Sequence, residues 1–494
     1  MAKILLIQPN KWGRGITSIW IPSHTGILKA RNHDVKLFDC TFYKNWTENE
    51  LDFNTRNQQY QPTEYSKLVK YNDNDIFDEF QKLVNSFKPD IIFWSGLSSH
   101  IHGEGEYVNI QYGNMLVEKI FTSAKKIAGG LQPTGDPKHV PIRFPNIDFF
   151  IRGESELVLA ELADKIDQGK ELTTTDGLIW KKDNEIIINK PQKIISDMDT
   201  ISTYDYSVFD VQIFLRPYNG RVVKGVDYEL SRGCVYACSY CVETTIQQYY
   251  GFTEITDQGT IKNASGYLRS KSAKRAFEEM KTLNQKFGIE FFRCQDTNFL
   301  TIDHNVLNEL AELISNSELP IYLYIETRPE GINKSSIELL KKLKVDGVGM
   351  GIEVSSEAFR KNNLNRFPAQ DKIIEAFSLL KDAGIKRTSY NIIGLPNETE
   401  DMIIETIKFN SLLQPDNITV AFYSPYLGTN LQEESEKLGD FNNYEYNVDN
   451  QLRTVTKSSS IDKNLLNFYK KEFTKLVRDG LGKLDELKKL EMKN

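Results

Sequence analysis

Short apolar runs and helical patterns alternate along the first third of the chain. The apolar runs lie at residues 3–8, 35–38 and 90–95, and two more end in Ile127-Ala-Gly-Gly and Asp148-Phe-Phe-Ile-Arg-Gly. Helical patterns lie at 22–31, 113–124 and 154–166. This alternation predicts a Rossmann-like, mostly parallel sheet covered by helices. Ligands of such sheets bind beyond the carboxyl ends of the strands, where glycine allows a close approach of the backbone.

The middle of the chain repeats a strand and a helix six times. The predicted strands lie at about 228–231, 290–294, 321–326, 347–352, 387–393 and 418–423. Helical patterns fill the gaps, for example at 272–287, 334–343 and 372–383. Six units are fewer than the eight of a closed barrel. The sequence therefore predicts an α/β fold whose second part is a partial (β/α)6 barrel with an open side.

Polar segments and a hairpin separate these regions. Residues 178–180 and 186–188 predict a β-hairpin, and the polar stretch 190–210 has the composition of a linker. A second polar stretch, 45–74, predicts a surface excursion or a lid. Apolar spacing over 463–476 predicts a helix. We expect four regions: an N-terminal domain at 1–190, a linker at 191–225, the barrel at 226–439 and a short helical C-terminal region at 440–494.

Composition and charge exclude several classes of protein. The 494 residues are 40% hydrophobic and 26% charged, which fits a globular chain and argues against wholesale disorder. No apolar run approaches the ~18 residues that a membrane helix needs, and the first residues resemble a strand rather than a signal peptide. With 61 basic and 68 acidic side chains, the net charge is -7. We expect a cytoplasmic protein without a membrane span, and nucleic acid is not an expected partner.

Three of the five cysteines are clustered. Cys234, Cys238 and Cys241 have the spacing C-x3-C-x2-C, directly after the first predicted barrel strand. Closely spaced thiolates hold iron–sulfur clusters, and soft sulfur ligands select iron–sulfur or zinc over hard cations. Three ligands leave one iron of a 4Fe-4S cube open. A closed zinc site needs a fourth ligand, and Cys294 and His304 lie far outside the usual spacing. Zinc and three unrelated buried cysteines remain the alternatives.

With this triplet, and with Tyr240 before its third cysteine, the chain resembles the radical S-adenosylmethionine (SAM) superfamily over residues 226–439. The resemblance implies that the open iron of one 4Fe-4S cluster chelates SAM and that one electron cleaves SAM to a 5'-deoxyadenosyl radical. Later motifs match in order: Gln295-Asp296-Thr-Asn-Phe, Glu326-Thr-Arg328-Pro, Gly351-Ile-Glu353-Val-Ser, Ile392-Ile-Gly394-Leu395-Pro and Pro425-Tyr-Leu-Gly428-Thr. The implied SAM-binding residues are Tyr240, Asp296 near the amine, Arg328 for the carboxylate, Glu353 for the ribose, and Ile392, Gly394 and Leu395 near the adenine.

Residues 3–190 resemble the cobalamin-binding domain of cobalamin-dependent radical SAM enzymes. The matching pieces are Gln8-Pro9, Asn32-His-Asp-Val ahead of Asp39, Ser95-Gly-Leu-Ser98-Ser99, Gly129-Gly130-Leu-Gln132-Pro and Arg152-Gly153-Glu154. The implied cobalamin contacts are Pro9, Ser98, Ser99, Gly129, Gly130, Gly153 and Glu154. The chain lacks the D-x-H-x-x-G pattern that supplies a histidine to cobalt in other cobalamin proteins. The resemblance therefore implies base-off cobalamin without a histidine ligand.

Three further residues, and one alternative, concern the predicted binding of cobalamin. Gln132 stands where the family often has histidine. His100 and His102 are either neighbours of the lower face of the corrin or exposed loop residues. A domain that merely packs on the barrel without binding cobalamin is the alternative.

These resemblances imply a cobalamin-dependent radical SAM methyltransferase that acts on an unactivated carbon. One SAM would methylate cobalt, a second would supply the radical that removes a substrate hydrogen, and methylcobalamin would methylate the substrate radical. A radical rearrangement, oxidation or cyclisation without methyl transfer is the alternative, followed by a non-catalytic cobalamin-binding regulator. Expected partners are a small-molecule or biosynthetic-intermediate substrate and an electron donor such as flavodoxin or ferredoxin.

Cysteine positions exclude two related activities. A methylthiotransferase would need a second cluster from N-terminal cysteines, where only Cys40 lies. No cysteine follows Cys294 to hold auxiliary clusters. The substrate and the residues of acid, base or hydrogen-abstraction chemistry have no readable pattern.

Overall fold

Two sheets of mostly parallel strands organise the chain. The computed structural model describes residues 1–48, 55–56, 58, 61–95, 105–183, 185–423, 426, 428–437 and 459–491. Within these residues, the strands form two seven-stranded sheets and one two-stranded sheet.

The first sheet has the strand order β2-β1-β3-β4-β5-β6-β7. Its strands are β1 (Lys3–Gln8), β2 (Asp34–Asp39), β3 (Ile91–Ser95), β4 (Lys125–Gly129), β5 (Phe149–Ile151), β6 (Leu178–Lys182) and β7 (Glu185–Ile188). The first five strands are parallel, and β6 and β7 form the predicted antiparallel hairpin. Its helices are α1 (Trp20–Ala30), α2 (Tyr65–Leu68), α3 (Ile76–Phe87), α4 (Gly105–Val117), α5 (Leu131–Gly135), α6 (Val140–Arg143) and α7 (Glu156–Asp167).

Both faces of the first sheet are buried. Successive side chains of a strand point to opposite faces, and Ile4 and Leu6 of β1 accordingly join one hydrophobic core while Leu5 and Ile7 join another. All five residues of β3 are buried. Parallel sheets with both faces covered produce such continuous apolar runs, which is why these strands were readable from the sequence.

The second sheet has the order β16-β15-β14-β13-β12-β9-β8. Its strands are β8 (Leu215–Tyr218), β9 (Arg221–Tyr228), β12 (Phe291–Cys294), β13 (Tyr322–Thr327), β14 (Val345–Glu353), β15 (Lys386–Ile393) and β16 (Asn417–Phe422); the separate pair is β10 (Ser231–Arg232) and β11 (Arg269–Ser270). The helices are α8 (Glu243–Tyr249), α9 (Ala273–Phe287), α10 (His304–Ser315), α11 (Lys334–Lys342), α12 (Glu357–Leu364), α13 (Gln370–Asp382), α14 (Glu400–Leu413), α15 (Asn430–Lys437), α16 (Lys463–Asp479) and α17 (Leu484–Glu491).

The second sheet curls into the predicted partial barrel. The strands from β9 to β16 are parallel, and β8 is antiparallel to β9. Asn417 Nδ2, at the start of β16, donates a hydrogen bond to Asn219 Oδ1 in the β8–β9 turn at 2.8 Å. Because β8 and β16 are the two edges of the sheet, this contact joins the edges at the amino-terminal end of the barrel.

Two predicted elements differ from the structure. The first barrel strand is β9, which ends at Tyr228 instead of running over 228–231, and it pairs with β8 inside the segment expected to be a linker. Polar residues and Gly225 interrupt the apolar pattern of β9; a Cβ at Gly225 would lie 2.7 Å from Phe291 Cδ1. The exact domain boundaries remain predictions.

The helix expected at 113–124 runs instead from Gly105 to Val117. Buried Ile120 and Ala124 continue the apolar spacing beyond the end of this helix. Ala124 N donates to Thr122 Oγ1 at 3.1 Å, a local side-chain bond that competes with a helical one.

The long helix α16, near the C-terminus, covers the last strand of the barrel. Leu466, Tyr469 and Phe473 of α16 share a hydrophobic core with Ile418 and Val420 of β16. This helix begins at Lys463 as predicted, and the Asp462 side chain caps it by accepting from Asn464 N and Leu465 N. Among the helices described, none combines the length and the apolar character needed to cross a bilayer.

Candidate active site

The three clustered cysteines lie on the loop that follows β9 and β10. Asp296, after β12, holds the start of this loop: its carboxylate accepts from Leu230 N at 3.1 Å and from Ser231 Oγ at 2.6 Å. Gly233 has φ +92°, and a Cβ there would lie 2.5 Å from the Tyr267 carbonyl oxygen. Only glycine fits this turn without strain. The Asp296 carboxylate and Gly233 therefore set the path of the chain into the cysteine loop.

The cysteines line one cavity at the carboxyl ends of the barrel strands. Cys234 and Cys238 are buried and Cys241 is half-buried. All three border a cavity of about 1250 Å³, here called the cysteine cavity, together with Tyr240, Arg328, Glu353 and Ile392 among its lining residues. The fold thus brings together the triplet and four of the seven residues expected to contact SAM.

The thiols suit a cluster better than a single metal ion. Burial, with the Glu243 carboxylate adding to it, raises the pKa of Cys234 to about 12, so without metal this group is a thiol. Among the residues described, no three His, Cys, Asp or Glu side chains converge as one ion requires. In an iron–sulfur cube the thiolates bind different irons, so such convergence is not needed. Their shared cavity also argues against three unrelated cysteines.

Two buried arginines add positive charge to the cysteine cavity. Arg328 Nη1 lies 3.4 Å from Cys238 Sγ, the guanidinium carbon lies 3.7 Å from the centre of the Tyr236 ring, and Nη2 pairs with Glu330 at 2.6 Å. Arg366, in the loop after α12, is 4% exposed and lines the same cavity. Its Nε has no hydrogen-bond partner among the described residues. A ligand carboxylate in this cavity would find two guanidinium partners.

Arg366 was not predicted from the sequence. The predicted SAM contacts lie in or near motifs at strand ends, whereas Arg366 reaches the cysteine cavity from the connection between α12 and α13. The turn that delivers it is visible in the structure: Asn365 has φ +50° and its side chain donates to the Ala237 carbonyl oxygen, inside the cysteine loop, at 2.6 Å.

Glu353 occupies a strained position at the end of β14. Its φ is +61°, in a left-handed region that non-glycine residues seldom adopt. The pairing of β14 with β15 shifts register between Gly351 and Glu353. Tyr240 Oη donates to Glu353 Oε1 at 2.9 Å, and Arg366 Nη1 lies 3.8 Å from the same oxygen. A Cβ at Gly351 would lie 2.2 Å from Glu353 Oε1, so this glycine gives the carboxylate its place.

Three of the expected SAM contacts do not line the cysteine cavity. Asp296 lies behind the loop that it holds, fully buried, and burial raises its pKa to about 6. The backbone N–H groups of Gly394 and Leu395 donate to Glu398 Oε2 at 2.6 and 3.2 Å. As contacts of SAM, these three residues stay predictions.

A second cavity, of about 970 Å³, lies between the two sheets and is here called the interdomain cavity. Ser95, Gly130, Gly153 and Glu154 border it from the strand ends of the first sheet, and Arg232 borders it from the cysteine loop. Pro9 and Gly129 are not among its lining residues, and Ser98, Ser99, His100 and His102 lie outside the described residues. Thr297 lines both cavities, so the two spaces adjoin at this residue.

The two domains are joined by buried ion pairs beside this cavity. Arg232 Nη2 lies 2.5 Å from Glu156 Oε1 and 2.7 Å from Glu229 Oε1, and Arg269 Nη1 lies 2.8 Å from Glu154 Oε1. Burial alone would raise the pKa of Glu156, but Arg232 and His24 together more than offset it and lower that pKa to about 2. Glu156 is therefore ionised at neutral pH, and the ion pairs fix Arg232, which directly precedes Gly233 and Cys234.

The structure shows the surroundings of two residues of the first domain that the sequence singled out, Gly153 and Gln132. Gly153, with φ +68°, makes room for the barrel domain: a Cβ there would lie 2.5 Å from Tyr249 Cε1 and 2.5 Å from Tyr250 Oη. Gln132 is 1% exposed, and neither end of its amide has a hydrogen-bond partner among the described residues. Such an orphaned buried amide fits a site that is completed by a ligand.

His24 is a buried histidine that the sequence did not single out. It lines the interdomain cavity, and its Nε2 lies 2.9 Å from Ser155 Oγ. Burial lowers the pKa of His24, which favours the neutral ring. Its position inside α1 gave no local signal.

Residues 228–409 match the Radical SAM superfamily. The barrel of this chain is therefore a radical SAM domain. The chain is 25% identical over 360 residues to an uncharacterized methyltransferase of Pyrococcus horikoshii, covering 72% of each chain. It is 24% identical over 402 residues to the anaerobic magnesium-protoporphyrin IX monomethyl ester cyclase of Rubrivivax gelatinosus, covering 80% of this chain and 66% of the cyclase, just under two thirds of its length.

The chain also has the fold of a solved structure that contains cobalamin. The structure of the radical SAM methyltransferase TsrM from Kitasatospora setae, with cobalamin and a [4Fe-4S] cluster bound, superposes with a TM-score of 0.65 at 16% identity. The superposition covers 89% of this chain and 75% of TsrM. Because the match covers 89% of this chain, it extends over most of both domains, and the predicted pairing of a cobalamin-domain fold with a radical SAM barrel is confirmed.

Proposed function

We propose that this protein is a cobalamin-dependent radical SAM methyltransferase that methylates an unactivated carbon of a small molecule. The observation that carries the proposal is the adjacency of the two cavities: one is lined by the three cysteines, the other by the strand ends of the Rossmann-like domain, and Thr297 borders both. Two cofactors that act on one substrate need neighbouring sites. The names of the methyltransferase relatives support the same reading.

Cys234, Cys238 and Cys241 would hold one 4Fe-4S cluster in the cysteine cavity. When bound, this cluster supplies the electron that cleaves SAM to methionine and a 5'-deoxyadenosyl radical, and base-off cobalamin carries the methyl group. The chain's own residues bind and orient SAM. Arg366 and Arg328 are placed to pair with its carboxylate, and Tyr240 holds the Glu353 carboxylate where it can accept from the ribose hydroxyls.

The interdomain cavity would hold cobalamin. Gly130, Gly153 and Glu154 border it as expected from the resemblance, and the buried Gln132 amide lies two residues after Gly130, next to the lining residue Leu131. The barrel borders the cavity from the other side through Arg232 and Arg269. Residues of both domains would therefore contact a cofactor bound there.

A radical cyclisation without methyl transfer is a second candidate. The relative from Rubrivivax gelatinosus is named as a cyclase and aligns with 80% of this chain. The two chemistries differ in products: a methyltransferase consumes SAM as methyl donor and as radical source, whereas a cyclase consumes it only as radical source.

Product analysis under anaerobic conditions tests the proposal. The reconstituted protein is incubated with SAM and a reductant, with and without hydroxocobalamin, and S-adenosylhomocysteine and 5'-deoxyadenosine are quantified. We expect S-adenosylhomocysteine only with cobalamin and, without substrate, in an amount limited by the bound cobalamin. Deoxyadenosine without S-adenosylhomocysteine in the cobalamin-loaded protein would contradict methyl transfer and favour the cyclase reading. A Cys238→Ala variant is the control for cluster-dependent deoxyadenosine.

The cofactors also bear on location and partners. An oxygen-sensitive cluster held by cysteines fits the reducing cytoplasm. We infer that a low-potential carrier such as flavodoxin or ferredoxin supplies the electrons, because neither SAM nor cobalamin can do so.

A further inference from the structure

The buried side chain of Gln295 is held at one end only. Gln295 directly follows β12 and is 5% exposed. Its Nε2 donates to Asp227 Oδ1 at 2.8 Å, whereas its Oε1 has no hydrogen-bond partner among the described residues. A buried acceptor that lacks a donor is costly. A ligand that brings a hydrogen-bond donor to this oxygen would remove that cost.

The Asp227 carboxylate decides which end of the Gln295 amide stays without a partner. Arg216 contacts this carboxylate at 2.6 Å, and Thr17 N, from the loop after β1, donates to it at 2.9 Å. Burial would raise the pKa of Asp227, but Arg216 and several smaller contributions together lower it to about 2. An ionised carboxylate only accepts hydrogen bonds, so it receives the amide NH2 group. The carbonyl oxygen of Gln295 is therefore the end that remains, and it can only accept.

Gln295 belongs to the barrel wall of the interdomain cavity. It borders this cavity and is not among the lining residues of the cysteine cavity. Thr297, two residues later, borders both cavities. Gln295 therefore lies close in the chain to the place where the two cavities adjoin, and a ligand of the interdomain cavity would meet it from the barrel side.

Hydroxyl groups that border the interdomain cavity use their hydrogens within the protein. Four of them donate to a carbonyl or carboxylate oxygen at 2.6–3.3 Å: Thr134 to Gly130, Ser231 to Asp296, and Tyr267 and Thr297 to Glu243. A hydroxyl whose hydrogen is engaged in this way keeps only lone pairs for a ligand. These four groups would therefore meet a ligand as acceptors.

The neutral ring of His24 orients a fifth hydroxyl, that of Ser155. His24 Nδ1 lies 2.5 Å from the Trp20 carbonyl oxygen, and because a carbonyl only accepts, this nitrogen carries the ring hydrogen. Burial lowers the pKa of His24, which favours the neutral ring. His24 Nε2 then accepts from Ser155 Oγ at 2.9 Å. The Ser155 oxygen, which borders the cavity, likewise keeps only lone pairs.

The two arginines of this lining are engaged with carboxylates. Arg232 pairs with Glu156 and Glu229, and Arg269 pairs with Glu154. The five hydroxyl oxygens, these carboxylates and Gln295 Oε1 together give the cavity many acceptor oxygens. A ligand that suits them carries N–H or O–H donors.

We infer that the interdomain cavity selects a corrinoid by its carboxamide N–H groups, and that Gln295 Oε1 accepts from one of them. The inference rests on the proposed function, which assigns cobalamin to this cavity. The corrin side chains of cobalamin end in neutral carboxamides, whose NH2 groups are donors. Carboxylate side chains would instead bring acceptors against acceptors, with negative charge beside Glu154 and Glu156. Gln295 is thus a specificity-determining residue that the barrel contributes.

Three corrinoids that share one ring and differ in their side chains test this selection. They are cobinamide, with carboxamides; heptamethyl cobyrinate, with methyl esters; and cobyrinic acid, with carboxylates. Each is added in its aqua form to the cluster-loaded full chain under anaerobic conditions, and binding is measured by equilibrium dialysis with absorbance. We expect cobinamide to bind at least about ten-fold more tightly than either of the others, because several hydrogen bonds are lost in the ester and charge is added in the acid.

Gln295→Met is the variant, because methionine keeps the length of the side chain and removes the amide oxygen. It should weaken cobinamide binding roughly three- to ten-fold and leave the affinity for heptamethyl cobyrinate unchanged, since the ester has no N–H group to lose. Gln370→Met is the matched control: Gln370 begins α13, donates through Nε2 to the Ser355 carbonyl oxygen at 2.9 Å and is not among the lining residues of the cavity. It should change neither affinity. Iron content and the urea midpoint of unfolding are measured on the same samples.

Four results would overturn the inference. They are equal affinity for cobinamide and heptamethyl cobyrinate, tighter binding of cobyrinic acid than of cobinamide, full cobinamide affinity in Gln295→Met, and equal weakening of cobinamide and ester by Gln295→Met. If that variant does not fold, the comparison of the three corrinoids on the parent protein still decides.

The inference and the proposed function fail in different ways. If hydroxocobalamin binds but the three corrinoids are not distinguished, the inference is wrong and the proposed function stands. If the selection is found while S-adenosylhomocysteine never forms, methyl transfer is wrong and the inference stands. If no corrinoid is retained, both are wrong.

Discussion

Replacing Arg232 by methionine should destabilise the joint between the two domains. Arg232 is paired with Glu156 at 2.5 Å, Glu229 at 2.7 Å and Glu154 at 3.5 Å, and all four side chains are at most 14% exposed. Methionine keeps most of the aliphatic stem and removes the charge. The carboxylates of Glu156 and Glu229 would then be buried without their cation, which is costly.

The magnitude follows from the pKa of Glu156. Burial raises this pKa, but Arg232, with a smaller contribution from His24, lowers it overall from the usual 4.5 to about 2. The net shift of about 2.5 pKa units at about 1.4 kcal/mol each corresponds to about 3–4 kcal/mol. Breaking a buried pair by removing one partner typically costs about 3–5 kcal/mol. We therefore expect Arg232→Met to lower the free energy of unfolding by ~3 kcal/mol at pH 7.

The pH dependence of the unfolding free energy tests independently whether Arg232 stabilises the protein. A carboxyl group whose pKa is lowered by folding adds stability above its unfolded pKa, and that stability is lost as pH falls through its folded pKa. In Arg232→Met, burial without the cation raises the pKa of Glu156 above 4.5. The difference between the parent protein and Arg232→Met should therefore vanish toward pH 2, grow as pH rises and become complete only above that raised pKa.

Urea unfolding, followed by tryptophan fluorescence, measures the effect. Arg31→Met is the matched control: Arg31 pairs with Asp164 at 2.6 Å, but the two side chains are 37% and 34% exposed. Exposed pairs contribute at most about 1 kcal/mol. Adding Glu156→Gln to Arg232→Met should recover about half of the loss, because one unpaired charge is removed. Equal losses in Arg232→Met and Arg31→Met, or no recovery in the double variant, would refute this reasoning.

Further predictions concern the two cofactor sites and one buried acid. Cys238→Ala should lose the iron that reconstituted protein binds, about four atoms, whereas Cys294→Ala should keep it; iron analysis and absorption spectra distinguish them. Arg366→Gln should weaken SAM binding roughly ten- to a hundred-fold without loss of iron, and an unchanged equilibrium-dialysis affinity would assign Arg366 a structural role. Gly130→Leu, at φ +113°, should impair hydroxocobalamin binding, and normal retention would count against the cavity assignment. Burial raises the pKa of Glu398 from 4.5 to about 8. The stability that its protonation contributes is fully present below about pH 4.5 and is lost as pH rises through 8. Glu398→Gln should therefore flatten the dependence of the unfolding free energy on pH between 5 and 8, and an unchanged profile would contradict this.

Strands that are buried on both faces were the part of the fold that the sequence predicted best. β3 is apolar throughout apart from its last residue and needs no context to be recognised. β9 was misplaced because it faces a polar interior: its Asp227 pairs with Arg216 of β8 inside the barrel. In a sequence, a charge that pairs with a neighbouring strand inside the barrel cannot be distinguished from a surface charge. A strand with a polar inner face is therefore missed when strands are predicted from apolar runs alone.

Residues that reach the site from another unit of the fold were also beyond sequence reasoning. The cysteine triplet is local, and its chemistry was readable from its spacing alone. Arg366 arrives from a helix-to-helix connection, and the tyrosines that require Gly153 come from α8 of the other domain. Neither the approach of Arg366 nor that of the two tyrosines leaves a pattern in the sequence around these residues. Strand-end motifs therefore located the cavity but not everything that borders it.

One signal of the bare inner face of β14 was present in the sequence. Gly347, Gly349 and Gly351 alternate within a predicted strand, and the twofold period of a strand places them on one face. Glycine weakens a strand and offers no side chain to pack. Three glycines on one face of a strand therefore indicate that this face has to stay free of side chains. In this barrel the outer face of β14 carries buried Val348, Met350 and Ile352, and the bare face is the inner one. The pattern therefore predicts a bare inner face, and the cysteine cavity lies along this strand, bordered by Gly349 and Gly351.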